Sequence, residues 1–286
     1  MSQIQWFPGH MAKAKRLVEA KLPLVDIVYE LRDARIPISS ANPMLDDIIK
    51  NKPRLVLLNK ADLADKAVTD KFLAFYEAEG IPALAINSLT GNPLKTILAK
   101  TNEILTALRE KESKKGMKPR AFRGMVLGIP NVGKSQFINC LAGKNKAKTG
   151  NVPGITKTQV YLRAGKELEL LDNPGILWPK FEDKKVGLNL ALVGSIKDDI
   201  YVPDEVVLYG LRFLTTHYPM RLISRYNLDN VSLEDPLTIL DAIGINRGCL
   251  LPGGTIDYDR VQKLFLYDFR NQMFGSISLE RVEEHV

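Results

Sequence analysis

The stretch GMVLGIPNVGKSQFINCLA, residues 124–142, decides how the rest of the chain is read. GMVLGI at 124–129 is an apolar run of strand length, and residues 134–142 carry a helical pattern. Between them GIPNVGKS, residues 128–135, fits the spacing G-x-x-x-x-G-K-S/T. A strand that turns through two glycines into a helix sets a row of backbone N–H groups at a helix N-terminus. Hydrogen bonds and the helix dipole together hold a phosphate there. Gly128 and Gly133 let the backbone close round phosphates, with Asn131 and Val132 in the loop between them. Lys134 is placed to reach the β- and γ-phosphates, and Ser135 to ligate Mg²⁺ through its hydroxyl. Gln136 follows at a position that meets phosphate through its backbone.

Working outward, strand and helix patterns alternate. The spacing predicts a basic helix from Met11 to Lys21, stopped by Pro23, then a buried strand VDIVYEL at 25–31. A helix at 43–50, a strand RLVLLN at 54–59, a helix at 66–79, a strand at 83–86 and a helix at 93–110 follow. Alternation of this kind belongs to a mainly parallel sheet covered on both faces, an α/β fold. Residues 109–123, REKESKKGMKPRAFR, hold seven Lys or Arg and two Glu and read as a linker. Beyond the loop, TQVYLRA and ELELLD read as a hairpin ending near Asp172. After Pro179 the pattern changes to amphipathic helices at about 186–198, 204–216, 219–225, 235–243 and 257–274. The expected organisation is an α/β domain at 1–178 and a smaller all-α domain at 179–286.

NKAD at 59–62, at the end of a strand, supplies a base reader. The carboxylate of Asp62 can accept hydrogen bonds from N1 and N2 of guanine; adenine has neither donor and would leave the buried carboxylate unpaired. Asn59 and the stem of Lys60 are expected to pack round the base, with Asn87 and Ser88 meeting guanine from the other side. DNPG at 172–175 places Asp172 to hold Mg²⁺ through water and Gly175 to meet the γ-phosphate. PGIT at 153–156 offers Thr156 as the hydroxyl that closes over the metal. Segments that depend on the γ-phosphate for order are the expected switches.

In the usual GTPase the phosphate loop comes first and N-K-x-D later. Here the base-reading elements precede it, which still builds one site if the chain is circularly permuted, with the old termini joined through 109–123. The helical tail then leaves directly after DNPG, where movement of a switch can be passed to it.

With WFPGHMAKA at 6–14, DARIP at 33–37, NKAD, GIPNVGKS, TGNVPGIT at 149–156 and DNPGI at 172–176 in this order, the chain resembles the circularly permuted YlqF/YawG-type GTPases over nearly its whole length. The resemblance implies a circularly permuted P-loop GTPase domain, GTP and GDP with Mg²⁺ as ligands, and a cytoplasmic factor. It also implies work on the late assembly of the large ribosomal subunit, stimulated by the precursor particle, with its rRNA and ribosomal proteins as partners. Ile176 stands where many GTPases place a glutamine that orients water. In the family that role is attributed to a histidine of the P-G-H-M motif, here His10. A neutral imidazole suits the task. Asn131 matches the asparagine that helps hold K⁺ in potassium-stimulated relatives. A GTP switch acting through a protein effector without RNA contact, and a non-catalytic scaffold liganded by GTP, remain the alternatives.

Charge agrees with a polyanionic partner for part of the chain. Of the net +7, residues 181–286 contribute −5, from 11 Lys or Arg against 16 Asp or Glu, so the preceding residues carry +12. Lys13, Lys15, Arg16, Lys21 and the linker lysines are candidate phosphate contacts. In the acidic tail a local patch of Arg212, His217, Arg221 and Arg225 would have to serve. Tyr209, Phe213, Phe265, Tyr267 and Phe269 read as core. Two cysteines, Cys140 and Cys249, exclude a disulfide framework and suit a reducing cytoplasm. No apolar run is long enough to span a membrane.

Overall fold

The structure, a computed structural model, describes residues 8–142, 161–171 and 183–284; of residues 8–12, 14 and 161 it describes the backbone alone. The central strand β1 (Ile27–Asp33) is buried at every position, which is why its sequence runs apolar without clean alternation. It pairs in parallel with β2 (Arg54–Asn59) on one side and β4 (Phe122–Gly128) on the other. β3 (Ala83–Ala85) extends the sheet beyond β2, and β6 (Leu168–Leu171) lies parallel to β4. β5 (Tyr161–Ala164) closes the edge antiparallel to β6, giving the order β3-β2-β1-β4-β6-β5. The β1–β4 ladder joins the base-reading half of the chain to the phosphate-loop half, the adjacency that a permuted order of motifs requires.

Period-two alternation sends successive strand residues to two apolar layers. Tyr29, Leu31, Leu55 and Val126 pack on one face with Phe137 and Ile97. On the other, Val28, Met125 and Leu127 meet Leu45 and Ile48, while Val56 and Leu58 meet Phe72 and Tyr76. Each such side chain contributes about 1.5–3 kcal/mol. Gly124 is required by this packing, because a Cβ there would lie 2.3 Å from Tyr29 Cε2.

The covering helices are α1 (Pro8–Lys21), α2 (Pro43–Ile49), α3 (Lys66–Ala78), α4 (Leu94–Ile104), α5 (Thr106–Lys114) and α6 (Lys134–Ala142). Asn42 caps α2 by accepting from Met44 N, and Asp65 caps α3 by accepting from Ala67 N. The stretch expected as a linker is largely otherwise. Residues 106–114 form α5, and the remainder is tied to the sheet: Arg109 lies 3.6 Å from the Phe122 ring centroid, and Arg120 binds both carboxylate oxygens of Asp26 at 2.7 and 2.8 Å. Its missing apolar face is replaced by ion pairing, since Glu112 is buried between Arg109 and Arg120.

The helical tail contains α7 (Lys184–Leu192), α8 (Pro203–His217), α9 (Pro219–Tyr226), α10 (Pro236–Asn246) and α11 (Tyr258–Arg270). α7 stops short of the expected 198 because Gly194 turns the chain with φ +74°. Gly210 lets α8 approach α11, where a Cβ would meet Phe265 Cε1 at 2.9 Å. The chain then returns to the sheet: Ile277 N donates to Leu63 O at 2.9 Å and Leu279 N to Arg35 O at 2.8 Å. Buried Glu280 accepts from Ile38 N and Ser39 N at 2.7 and 2.8 Å. The expected boundary at 178/179 lies outside the described residues.

Candidate functional site

Four loops converge at the carboxyl ends of neighbouring strands, the crevice in which open α/β sheets bind ligands. The phosphate loop leaves β4. Gly128 takes φ +151°, and a Cβ there would sit 2.5 Å from Leu31 O, so only glycine fits between the two strands. Asn131 is left-handed at φ 57°. Gly133 has φ +99°, and a Cβ would stand 2.5 Å from Asn59 Nδ2. The second glycine of the loop is therefore also the gap through which the base-reading motif touches it. Lys134 is buried at the start of α6 and curls back to donate to Ile129 O at 2.7 Å. Val132 is fully buried, and Ser135 and Gln136 are half-buried in the same turn.

NKAD leaves the end of β2. Buried Asn59 donates through Nδ2 to Val132 O at 2.8 Å, and its Oδ1 accepts from the Ser88 hydroxyl at 2.7 Å. It thus pins three loops together, a role the sequence reading of Asn59 as a wall of the base pocket did not contain. Lys60, at φ 59°, donates from Nζ to Asn131 O at 2.8 Å and to Asp33 Oδ2 at 3.0 Å. Asp62 is exposed rather than buried: the left-handed turn at Lys60 carries the following residues outward, and the Asp62 carbonyl is held by Gln272 Nε2 and Ser276 Oγ at 3.0 and 2.9 Å. Asn87 is engaged locally, accepting from Leu89 N at 2.7 Å in an Asx turn.

Asp33, at the end of β1, is the residue that sequence reasoning missed. It is fully buried, with the Arg35 guanidinium bidentate on it at 2.9 and 2.8 Å and Lys60 on the same carboxylate. Burial alone would raise its pKa, but the Arg35 and Lys60 charges outweigh that and hold the carboxyl well below the usual range. Burial pulls the Lys60 ammonium down, partly offset by Asp33. DARIP stood in the sequence as a motif; that it is an electrostatic anchor for N-K-x-D required the β1–β2 register, which sets Asp33 opposite Asn59.

The helical tail touches the same loops. Asn131 Nδ2 donates to Gly194 O at 3.1 Å and Arg35 Nη2 to Val193 O at 3.4 Å. The arginines expected to form an RNA patch there are committed inward: Arg225 is bidentate on buried Asp268 at 2.9 and 2.8 Å, and Arg221 donates to the Ser276 carbonyl. A buried carboxylate on α11 needs a cation, and α9 supplies it. Arg212 and His217 are exposed, His217 lying against the Phe213 ring at 4.5 Å. Tyr267, expected in the core, is 57% exposed because it sits on the outer side of α11. Thr156, Asp172, Gly175 and Ile176 lie outside the described residues, as does the side chain of His10, whose backbone belongs to α1.

A phosphate loop locked to a guanine-reading turn on a parallel sheet defines a P-loop GTPase, here with its motifs circularly permuted. Comparison with known proteins agrees. A family model described as 50S ribosome-binding GTPase matches residues 123–207. Ribosome biogenesis GTPase A of Bacillus licheniformis is 56% identical over 281 residues, covering 98% of this chain and 99% of the relative. Mitochondrial ribosome-associated GTPase 1 of Bos taurus is 31% identical, covering 97% and 88%. The crystal structure of GNP-bound YlqF from T. maritima superposes with a TM-score of 0.65 at 26% identity, covering 95% of this chain and 99% of that one. The chain belongs to the ribosome biogenesis GTPase A family.

Proposed function

We propose that this chain binds GTP and GDP in the crevice above β1, β2 and β4, docks on the assembling large ribosomal subunit in the cytoplasm, and hydrolyses GTP during its late maturation. The observation that carries the reading is the pair of contacts from Asn59 to Val132 and from Lys60 to Asn131, which fastens a guanine reader to a phosphate loop before any ligand arrives. Asp62 reads the base, Lys134 and the loop N–H groups hold the phosphates, and Asn87, Ser88, Thr156 and Gly175 complete the nucleotide contacts.

The donor set fits Mg²⁺. The hydroxyls of Ser135 and Thr156 and the carboxylate of Asp172 are hard oxygen ligands, and the ion commonly takes one or two protein ligands together with substrate phosphates. When bound it neutralises charge on the β- and γ-phosphates. The Asn131 amide gives its Nδ2 to Gly194, so Oδ1 is the atom suited to K⁺. His10 is assigned the orientation of the attacking water, since Ile176 has no polar atom for it. The helical tail, from about residue 179, serves as a docking domain that senses the loops through Gly194 and Val193. Among the described residues no helix is long and apolar enough to cross a membrane.

The test is GTP turnover with and without large-subunit precursor particles, in K⁺ and in Na⁺. Particles are expected to raise the rate, more so in K⁺, and His10→Ala to abolish the stimulation with GTP affinity unchanged. A His10→Ala variant that turns over normally but binds GTP weakly would overturn the assignment. A particle affinity indifferent to salt would favour a protein effector over RNA.

A further inference from the structure

The edge of the sheet opposite the nucleotide crevice is ringed by cations. In a parallel sheet the strands' amino ends share one edge, and here every segment entering that edge is basic. Lys50 and Lys52 precede β2, Lys115, Lys118 and Arg120 precede β4, and the β5–β6 turn carries Arg163 and Lys166. These segments form one continuous surface. Pro53 O receives Val28 N at 2.9 Å, Arg123 O receives Asp26 N at 2.7 Å, and Phe122 N donates to Glu167 O at 2.9 Å, so the approaches to β2, β1, β4 and β6 are hydrogen-bonded side by side. With Lys21, Lys114 and Arg123 the edge carries ten Lys or Arg against four carboxylates, Asp26, Glu112, Glu167 and Glu169. Two of those carboxylates are occupied by Arg120, and Glu169 is shared by Arg123 and Arg163 at 3.6 and 3.2 Å. The Arg123 and Arg163 side chains are nevertheless 51% and 81% exposed, and Lys115, Lys118 and Lys166 are exposed. A cleft of about 390 Å³ opens among Arg120, Arg123, Arg163 and Lys166.

We infer that this amino edge is a second docking surface of the chain, and that its occupant is the phosphate backbone of large-subunit rRNA; the inference rests on the ribosomal reading above. Charge complementarity selects the occupant. An excess of exposed cations in a row across adjacent strands, spaced about 4.8 Å apart, matches a linear polyanion that releases counterions as it binds. A protein partner would be expected to find aromatic or apolar anchors, and the residues facing this cleft offer none. The edge also stands a full strand away from Gly128, about 20 Å by the rise of a seven-residue strand. Contacts there are therefore independent of the γ-phosphate, and the edge holds RNA equally in the GTP and GDP states. Affinity that changes with nucleotide belongs to the crevice side and the helical tail.

The experiment compares the full chain with a Lys115→Gln, Lys118→Gln, Arg163→Gln, Lys166→Gln variant for binding to large-subunit precursor particles and to rRNA extracted from them. Binding is measured across a salt series with a non-hydrolysable GTP analogue or GDP bound. The expected result is a log affinity against log salt slope shallower by about 3, with affinity for both probes at least tenfold weaker in both nucleotide states. Far-UV circular dichroism and particle-free GTP turnover stay unchanged. An unchanged slope with a folded variant overturns the surface. A loss confined to particles and absent on extracted rRNA overturns the occupant and assigns the edge to a ribosomal protein. Failure of the unmodified chain to bind either probe overturns instead the ribosomal reading on which the inference stands.

Discussion

The two edges of one sheet carry the same kinds of residue and use them oppositely. At the carboxyl edge Asp33, Arg35, Lys60 and Lys134 are drawn inward and matched to partners a hydrogen bond away. At the amino edge Arg123, Arg163, Lys118 and Lys166 remain in water and share too few carboxylates. The difference teaches that cation content does not define a site. Cations buried and paired in advance lose little freedom when a small ligand arrives and so can demand one geometry. Cations left on mobile stems tolerate many geometries and suit a backbone that repeats.

Breaking the inner set should be costly. Asp33→Ala leaves Arg35 and Lys60 uncompensated beside the crevice, and urea denaturation should show a loss of about 3–5 kcal/mol. The pH dependence sharpens the same point. Because the folded carboxyl titrates below its unfolded value of about 3.9, its contribution is complete above that pH and disappears as pH falls through the lower folded value. The unmodified chain should lose stability on acidification below pH ~4 more steeply than Asp33→Ala. Next in size, Asn59→Ala strands the Val132 carbonyl and frees Ser88. A loss of about 1–3 kcal/mol in denaturant and weaker GTP binding by fluorescence titration should follow together, since one side chain serves both. Smallest, Arg163→Gln at the outer edge should move the unfolding midpoint by no more than about 0.5 kcal/mol. A larger shift would mean the outer charges are structural after all and would erase the contrast.

Much of this was legible in the sequence. The strand–loop–helix at 124–142, the alternation before it and the helices after it follow from local periodicity, and the motifs fall at strand ends as their spacing implied. What escaped is polar and distant in sequence. Nothing near Glu280 signals that it caps the backbone at Ile38 and Ser39, and nothing near Arg225 signals Asp268. Such pairs follow from packing, which places a buried charge next to whichever element can neutralise it. The basic run at 109–123 misled for the related reason that charge without an apolar face reads as solvated linker, whereas Glu112 and Asp26 turn its arginines into structure.

The central claim is that an early turn and a late loop grip opposite ends of one guanine nucleotide. Asp62→Asn tests it most directly, with GTP and xanthosine triphosphate titrated against the same preparation. An amide at that position can donate to the 2-oxo group of xanthine but cannot accept from both guanine donors. GTP affinity should fall by about 100-fold while affinity for xanthosine triphosphate rises, Lys134 and the phosphate loop being untouched. GTP affinity that stays where it was would mean that NKAD does not read the base, and the single shared site would not exist.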